Sequence, residues 1–195
     1  MGLTMLRLLL LPVFLFTLLL DANTELHPYR WLAVSIFVVM AITDKLDGYL
    51  ARKLKQTSKL GTLLDPIADK LLIACSVILL SFSWVAPSGF QVPRIVVFLV
   101  YGKDLVVVVG SLALLSLAGK VTITPRPLGK LGTFLQLSML IATLIGSDLA
   151  RIDASFAWWT IRTLWVAVGL VTTAACADYV VQGLKQFSRW RSSSK

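Results

Sequence analysis

Charge is scarce in this sequence: 15% of its 195 residues are Asp, Glu, Lys or Arg, against 57% hydrophobic residues and a mean hydropathy of +0.82. That balance excludes an ordinary water-soluble globule, because a chain of this length cannot hide so much apolar surface in one core. Cysteine is almost absent. Cys75 and Cys176 stand far apart, each inside an apolar run, so packing is their expected role and neither a disulfide nor a thiolate metal site follows. Histidine is reduced to His27. No internal repeat or low-complexity linker divides the chain, which reads as one domain over 1–195. The opening apolar stretch lacks a small-x-small cleavage pattern after Leu20, so it is expected to stay as a membrane segment and not to be a signal peptide. A formal charge of +9 could suggest nucleic acid, but the cations sit in short segments between apolar runs and never form a clustered basic face. Anionic lipid head groups and an anionic substrate are the expected partners, and nucleic acid is not.

What is abundant is apolar length. Runs at 6–20, 31–50, 67–86, 95–117, 131–146 and 157–177, each followed by a polar or Pro/Gly-bearing connection, predict an all-α integral membrane protein of six transmembrane helices. Six crossings put both termini on one side. All of the 19 Lys and Arg except Arg30, Arg94, Arg151, Arg162 and the mid-span Lys103 then fall on that side, which the positive-inside rule makes cytoplasmic. The expected location is the cytoplasmic (inner) membrane. Tyr29, Trp31, Trp84, Trp158 and Trp159 fit an aromatic belt at the outer interface, and the tail 179–190 reads as a continuation of the last span.

The acids are the informative charges. The 13 uncharged residues between Arg30 and Asp44 cover about 20 Å as a helix, short of a hydrocarbon core about 30 Å thick, so the helix must continue through Asp44 and Asp47. By the same measure Asp65 and Asp69 fall at or just below the cytoplasmic interface. Helical spacing puts Asp44, Asp47 and Ala51 on one side of the second span, while Gly61, Asp65 and Asp69 recur every four residues along the third. Carboxylates at that depth need a cation. Simple ion pairing with Lys45, Arg52, Lys53 and Lys70 is the plainer alternative, though opposed faces of carboxylates are an unusual way to stabilise a helix pair. A site of carboxylate oxygen alone, with no histidine or thiolate beside it, selects a hard ion, Mg²⁺ or Mn²⁺, over zinc. Gly48, Ala51 and Gly61 remove bulk beside the acids, which would let a ring or a phosphate approach the backbone; close helix packing is the competing use of such residues.

The stretch Asp44-x-x-Asp47-Gly48-x-x-Ala51-Arg52, eight residues, then Gly61-x-x-x-Asp65-x-x-x-Asp69 resembles the complete signature, spanning 44–69, of the CDP-alcohol phosphotransferase family. Its flanks, Ile42-Thr43 before the first half and Leu64 with Pro66-Ile67-Ala68 around the second, resemble the bacterial branch that uses glycerol 3-phosphate as acceptor. Leu3-Thr4-x-x-Arg7 is similar to the family's amino-terminal stretch, although Gly2 does not supply the expected Asn. Gly129-Lys130-x-x-Thr133-x-x-Gln136 is similar to the loop before the fifth span. Gly102-Lys103-Asp104 has Lys where relatives commonly carry Arg, which loses bidentate reach and keeps the charge.

The resemblance implies transfer of a phosphatidyl group from CDP-diacylglycerol to an acceptor hydroxyl, with CMP leaving. It implies Asp44, Asp47, Asp65 and Asp69 as metal ligands and Asp69 as the base that takes the acceptor proton; a carboxylate is a weak base, so proximity and metal must supply most of the help. It implies Thr4, Arg7, Gly48, Arg52, Ser58 and Gly61 as residues that hold CDP-diacylglycerol, and a homodimer. An acceptor such as glycerol 3-phosphate brings a phosphate that wants cations, and Lys103, Arg126 and Lys130 are the candidates. Lys103 lies near mid-membrane, and its neighbour Asp104 projects elsewhere on the helix, so Asp104 is not expected to cancel it. Gln136 is read as an interhelical hydrogen bond. Two other readings stay open: the same reaction with another acceptor, either phosphatidylglycerol as in a cardiolipin synthase or inositol phosphate, serine or an amino alcohol as in other relatives, and a divalent-cation transporter. The transporter needs polar residues through the full bundle, whereas 71–80 is almost wholly apolar beyond the acids.

Overall fold

The computed structural model describes residues 2–23, 28–54, 70–87, 89–118 and 127–193, with side chains described at 5–22, 29–43, 70–87, 89–116 and 128–188. Among these residues the chain is entirely helical, with no strand. The helices are α1 (Gly2–Asn23), α2 (Pro28–Leu54), α3 (Lys70–Leu79), α4 (Arg94–Ala118), α5 (Pro127–Leu144), α6 (Gly146–Ile152) and α7 (Ala154–Ser193). They divide into two compact units, one formed by 1–92 and 137–161 and the other by 93–136 and 162–195.

Large apolar side chains cover the outside: Leu9 is 69% exposed, Phe98 73% and Leu170 67%. A water-soluble surface would not carry so many, and helices in lipid must. Met5–Ala22, Arg94–Ser116 and Ala154–Ser188 are each long and apolar enough to cross a bilayer, and α5 with α6 adds a fourth candidate if that bent pair is one span. Three or four candidate spans among the described residues is fewer than the six expected. The shortfall lies in α2, whose apolar part is only Tyr29–Thr43, and in α3, of which ten residues are described.

In the first unit α1 and α2 pack side by side in opposite directions. Phe14 meets Phe37 with ring centroids 5.5 Å apart, and Arg30 Nε donates to Asp21 Oδ2 at 2.9 Å. Leu18, Ala33 and Met40 fill the seam, and all are buried. A second guanidinium nitrogen of Arg30 donates to Ser147 Oγ in α6, so a buried ion pair and a hydroxyl join three helices at one level. Such a pair is tolerated in an apolar interior because each charge finds its partner there.

Two expected boundaries move. The run at 67–86 stops short of its expected end: α3 ends at Leu79 and the chain turns through 80–92, where the Val92 N–H returns to the Leu80 carbonyl at 2.9 Å and Gly89 takes a φ of +84° that few other residues adopt. Ser81 and Ser83 hide among apolar neighbours in a hydropathy window, yet with Pro87 and Gly89 they compose a turn. The run at 131–146 ends at Leu144, and the axis bends by 62° into α6. Gly146 sits at that bend against Phe90 and Ile161, leaving no room for a side chain. Asp153 then closes α6 and starts α7, its Oδ1 accepting the Phe156 N–H at 3.0 Å as a helix cap.

In the second unit α4 and α7 run parallel, with Gly169 against Leu99 and Gly183 against Leu114. At 40 residues α7 is about 60 Å long, twice the hydrocarbon thickness, so the expected continuation of the last span is present. Cys75 and Cys176 are both free and half-buried, as packing residues would be.

Candidate active site

The α1–α2 pairing fixes what lies beside the first half of the acidic signature. Phe14 opposite Phe37 and Asp21 opposite Arg30 set one antiparallel register, and continued down the helices it brings the backbone of Arg7 level with that of Asp44. Arg7 is 2% exposed, among the largest fully buried side chains. A guanidinium held inside a helix pair, at the depth where the next helix carries acids, has a charge that water screens poorly.

The α2 backbone is helical without interruption from Pro28 to Leu54, so the expectation that this helix continues through Asp44 and Asp47 holds. The two acids are three residues apart, one turn along the same side, and Gly48 and Arg52 follow on the same helix. The side chains of Asp44, Asp47 and Arg52 lie outside the described residues, as does that of Thr4 on α1, and of Gly48 only the helical backbone is described. Ser58, Gly61, Asp65, Asp69 and Arg126 lie outside them altogether. Among the described residues no three His, Cys, Asp or Glu gather into a group that could hold a metal.

Of the acceptor candidates, Lys103 and Lys130 belong to the second unit. Lys130 is exposed in the first turn of α5. Lys103 corrects the expectation stated for it: its Nζ lies 3.5 Å from Oδ1 of the adjacent Asp104, with the lysine side chain 15% exposed. Adjacent positions differ by about 100° around a helix, but the lysine stem is long enough to fold back, and burial leaves its charge little other choice. Gln136 is 3% exposed, and its Nε2 has no acceptor among the described residues, so the expected interhelical hydrogen bond is not made by that donor.

The Asp21–Arg30–Ser147 network was not anticipated. Its sequence signal is opposite charges flanking the short link between two apolar runs. The cavities of the second unit, about 250 Å³ between Val106–Leu114 of α4 and Tyr179–Phe187 of α7 and about 530 Å³ nearer Pro93, are dominated by apolar walls and gather no catalytic side chains.

Comparison with known proteins agrees with the signature on α2. A family described as CDP-alcohol phosphatidyltransferase matches residues 1–174. The chain belongs to the CDP-alcohol phosphatidyltransferase family. Its relatives include a protein of Rickettsia bellii, 32% identical over 182 residues that cover 91% of this chain and 94% of the relative, and one of Rickettsia typhi, 35% identical over 91% and 96%. A protein of Bacillus subtilis is 31% identical over 95% of this chain and 91% of its own length. All three are named CDP-diacylglycerol–glycerol-3-phosphate 3-phosphatidyltransferase. Membership in a transferase family sets aside the cation-transporter reading.

Proposed function

We propose that this chain transfers the phosphatidyl group of CDP-diacylglycerol to a hydroxyl of glycerol 3-phosphate, giving phosphatidylglycerophosphate and CMP. The observation that carries this reading is the buried Arg7 at the level of Asp44, on a helix whose acids have the family spacing. The names of relatives matched over more than nine-tenths of the chain support the choice of donor and acceptor.

In the reaction the acceptor oxygen attacks the phosphatidyl phosphorus, the bond from that phosphorus to the CMP oxygen breaks, and CMP departs with the electron pair. Asp69 takes the proton of the acceptor hydroxyl. Arg7 and Arg52 pair with the pyrophosphate oxygens, while Thr4, Gly48, Ser58 and Gly61 shape the nucleotide seat. Members of this family generally depend on a divalent metal. The donor set here fits one: Asp44 and Asp47 share one side of an unbroken helix, and with Asp65 and Asp69 they offer only carboxylate oxygen, suited to Mg²⁺ or Mn²⁺. When bound, the ion neutralises the pyrophosphate and stabilises the leaving phosphate. Lys103, Arg126 and Lys130 receive the acceptor phosphate, with Lys103 exchanging Asp104 for it.

The accompanying architecture is a single domain over 1–195 with six spans, α2 and α3 completing the set, in the cytoplasmic membrane with both termini and the site toward the cytoplasm, working as a homodimer. The Lys103–Asp104 pair favours keeping a second reading, in which phosphatidylglycerol is the acceptor and Lys103 stays structural.

Purified protein supplied with CDP-diacylglycerol and Mg²⁺ should release CMP when glycerol 3-phosphate is added. Release with phosphatidylglycerol alone selects the second reading, and release with neither removes both. Asp69→Asn should keep the helical content and abolish turnover; near-normal CMP release by that variant refutes the assigned base.

A further inference from the structure

Asp21 and Arg30 hold each other beside the link between α1 and α2, Arg30 Nε donating to Asp21 Oδ2 at 2.9 Å with side chains 10% and 2% exposed, and a further Arg30 nitrogen donates to Ser147 Oγ in α6. Among the described residues Asp21 has no other ion-pair partner. Spacing ties this pair to the far end of the same two helices. Arg7 precedes Asp21 by 14 residues on α1, and Asp44 follows Arg30 by 14 residues on α2. Fourteen residues of helix are about 21 Å and close to four turns, so Arg7 shares a side of α1 with Asp21, and Asp44 a side of α2 with Arg30. Pro12 removes one backbone hydrogen bond from α1, yet that helix runs on through it, and α2 is unbroken over its stretch. The register set beside the link is therefore the register at which Arg7 comes level with Asp44.

Little else in the seam chooses that register. Phe14, Leu18, Ala33, Phe37 and Met40 fill it with apolar surface, and the buried Thr17 turns its hydroxyl to the Phe14 carbonyl of its own helix. A slide of one turn would set Leu10 or Leu18 opposite Phe37 in place of Phe14, apolar for apolar, and lipid gives little preference between such arrangements. The link does not forbid the slide either. Its four residues, 24–27, reach about 13 Å when extended, whereas helix axes about 9 Å apart and displaced by about 5.4 Å need only about 10.5 Å. The ion pair does forbid it, because the slide parts two charges in an apolar interior.

We infer that Asp21, Arg30 and Ser147 form a register lock, a set of positioning residues that holds Arg7 level with Asp44 from about 21 Å away and so keeps the donor-binding end of the helix pair assembled. The lock follows from the helix pair alone, and its consequence for the reaction rests on the proposed donor site.

Two readouts test it on the full-length protein. The first is the distance between nitroxide labels on Met5→Cys and Trp31→Cys, both exposed positions, measured by pulsed electron paramagnetic resonance in a Cys75→Ala/Cys176→Ala background. The second is the pair of KM values for CDP-diacylglycerol and glycerol 3-phosphate. The informative variant is Asp21→Leu/Arg30→Met, because an apolar pair in place of a buried ion pair generally keeps a protein folded. It should shift or broaden the label distance by about 3–4 Å, the change that a one-turn slide produces between positions so far apart along the helices. It should also raise the KM for CDP-diacylglycerol about tenfold while that for glycerol 3-phosphate moves less than about twofold, a split that a loss of stability alone would not give. Asp21→Glu/Arg30→Lys keeps the ion pair and should restore both the distance and the KM. A wild-type distance in Asp21→Leu/Arg30→Met overturns the lock, and a shifted distance that persists in Asp21→Glu/Arg30→Lys overturns charge pairing as its cause. A shifted distance with unchanged KM upholds the lock and refutes instead the donor role of Arg7.

Discussion

Replacing Gly146 by alanine tests the packing that sets the bend between α5 and α6. On helix propensity alone the change should stabilise by about 0.5–1 kcal/mol, since glycine carries the larger backbone entropy. The surroundings oppose it. The new methyl carbon would lie 2.8 Å from Cγ and Cδ2 of Phe90 and 2.9 Å from Cδ1 of Ile161, where comfortable carbon contacts begin near 3.5 Å. Phe90 is 7% exposed and Ile161 0%, so neither can swing away into lipid. Overpacking of this kind typically costs about 1–3 kcal/mol, and two displaced neighbours put it in the upper half, leaving a net loss of about 1–2 kcal/mol. For a chain of this size that lowers the unfolding midpoint by about 2–8 °C. Thermal melting in detergent, followed by circular dichroism, reads it directly. The companion variant is Phe90→Leu, which alone leaves a void. Combined with Gly146→Ala it should lose less than the two single losses added together, because the methyl occupies space the ring has left. A Gly146→Ala protein that melts at or above the wild-type midpoint would refute the contact as the reason for glycine. A strictly additive double variant would show that the residue serves backbone freedom at the bend instead.

Asp21→Asn removes the charge that partners the buried Arg30 and should destabilise by about 3–5 kcal/mol, seen as a lowered melting midpoint; Asp21→Asn/Arg30→Gln should recover part of the loss, and no recovery would mean the charge pairing is not what matters. Lys103→Met should raise the KM for glycerol 3-phosphate about tenfold or more with a smaller effect on kcat, because it removes a charge-assisted contact to the acceptor phosphate. Equal kinetics would assign Lys103 to its pair with Asp104. Chelation of divalent ions should stop CMP release and Mg²⁺ should restore it, while activity that persists in chelator would contradict the carboxylate site.

Apolar length was legible, and so was the spacing of acids. The spans at 95–117 and 157–177 emerge as α4 and α7 because nothing within them breaks a helix, and the tail follows since 179–190 keeps helical residues throughout. The continuation of α2 through Asp44 and Asp47 was forced by arithmetic on bilayer thickness, and the helix runs there. The run at 67–86 misled because a hydropathy average weighs Ser81 and Ser83 lightly among Phe82, Trp84 and Val85, whereas backbone conformation turns on them, on Pro87 and on Gly89. Lys103 misled for a different reason: angular position on a helix describes where Cβ points, and a lysine ammonium sits four bonds beyond it.

Which side of each helix faces inward was the least legible property, and the physics of lipid explains why. In water an apolar stripe marks the buried face. In a bilayer the exposed face is apolar as well, so Leu9, Phe98 and Leu170 on the outside look no different in sequence from Phe14, Leu140 and Val168 on the inside. The discriminating residues are the few polar ones, because lipid cannot satisfy them: Arg7, Thr17 and Asp21 recur at the buried face of α1, Thr143 and Gln136 at that of α5, and Thr172 on α7. In α1 these positions lie along the seam with α2, the same side as Phe14 and Leu18. Polar residues inside apolar runs therefore encode the interior of this protein, and following them from Asp21 down α1 leads to Arg7, opposite the first aspartate of the signature.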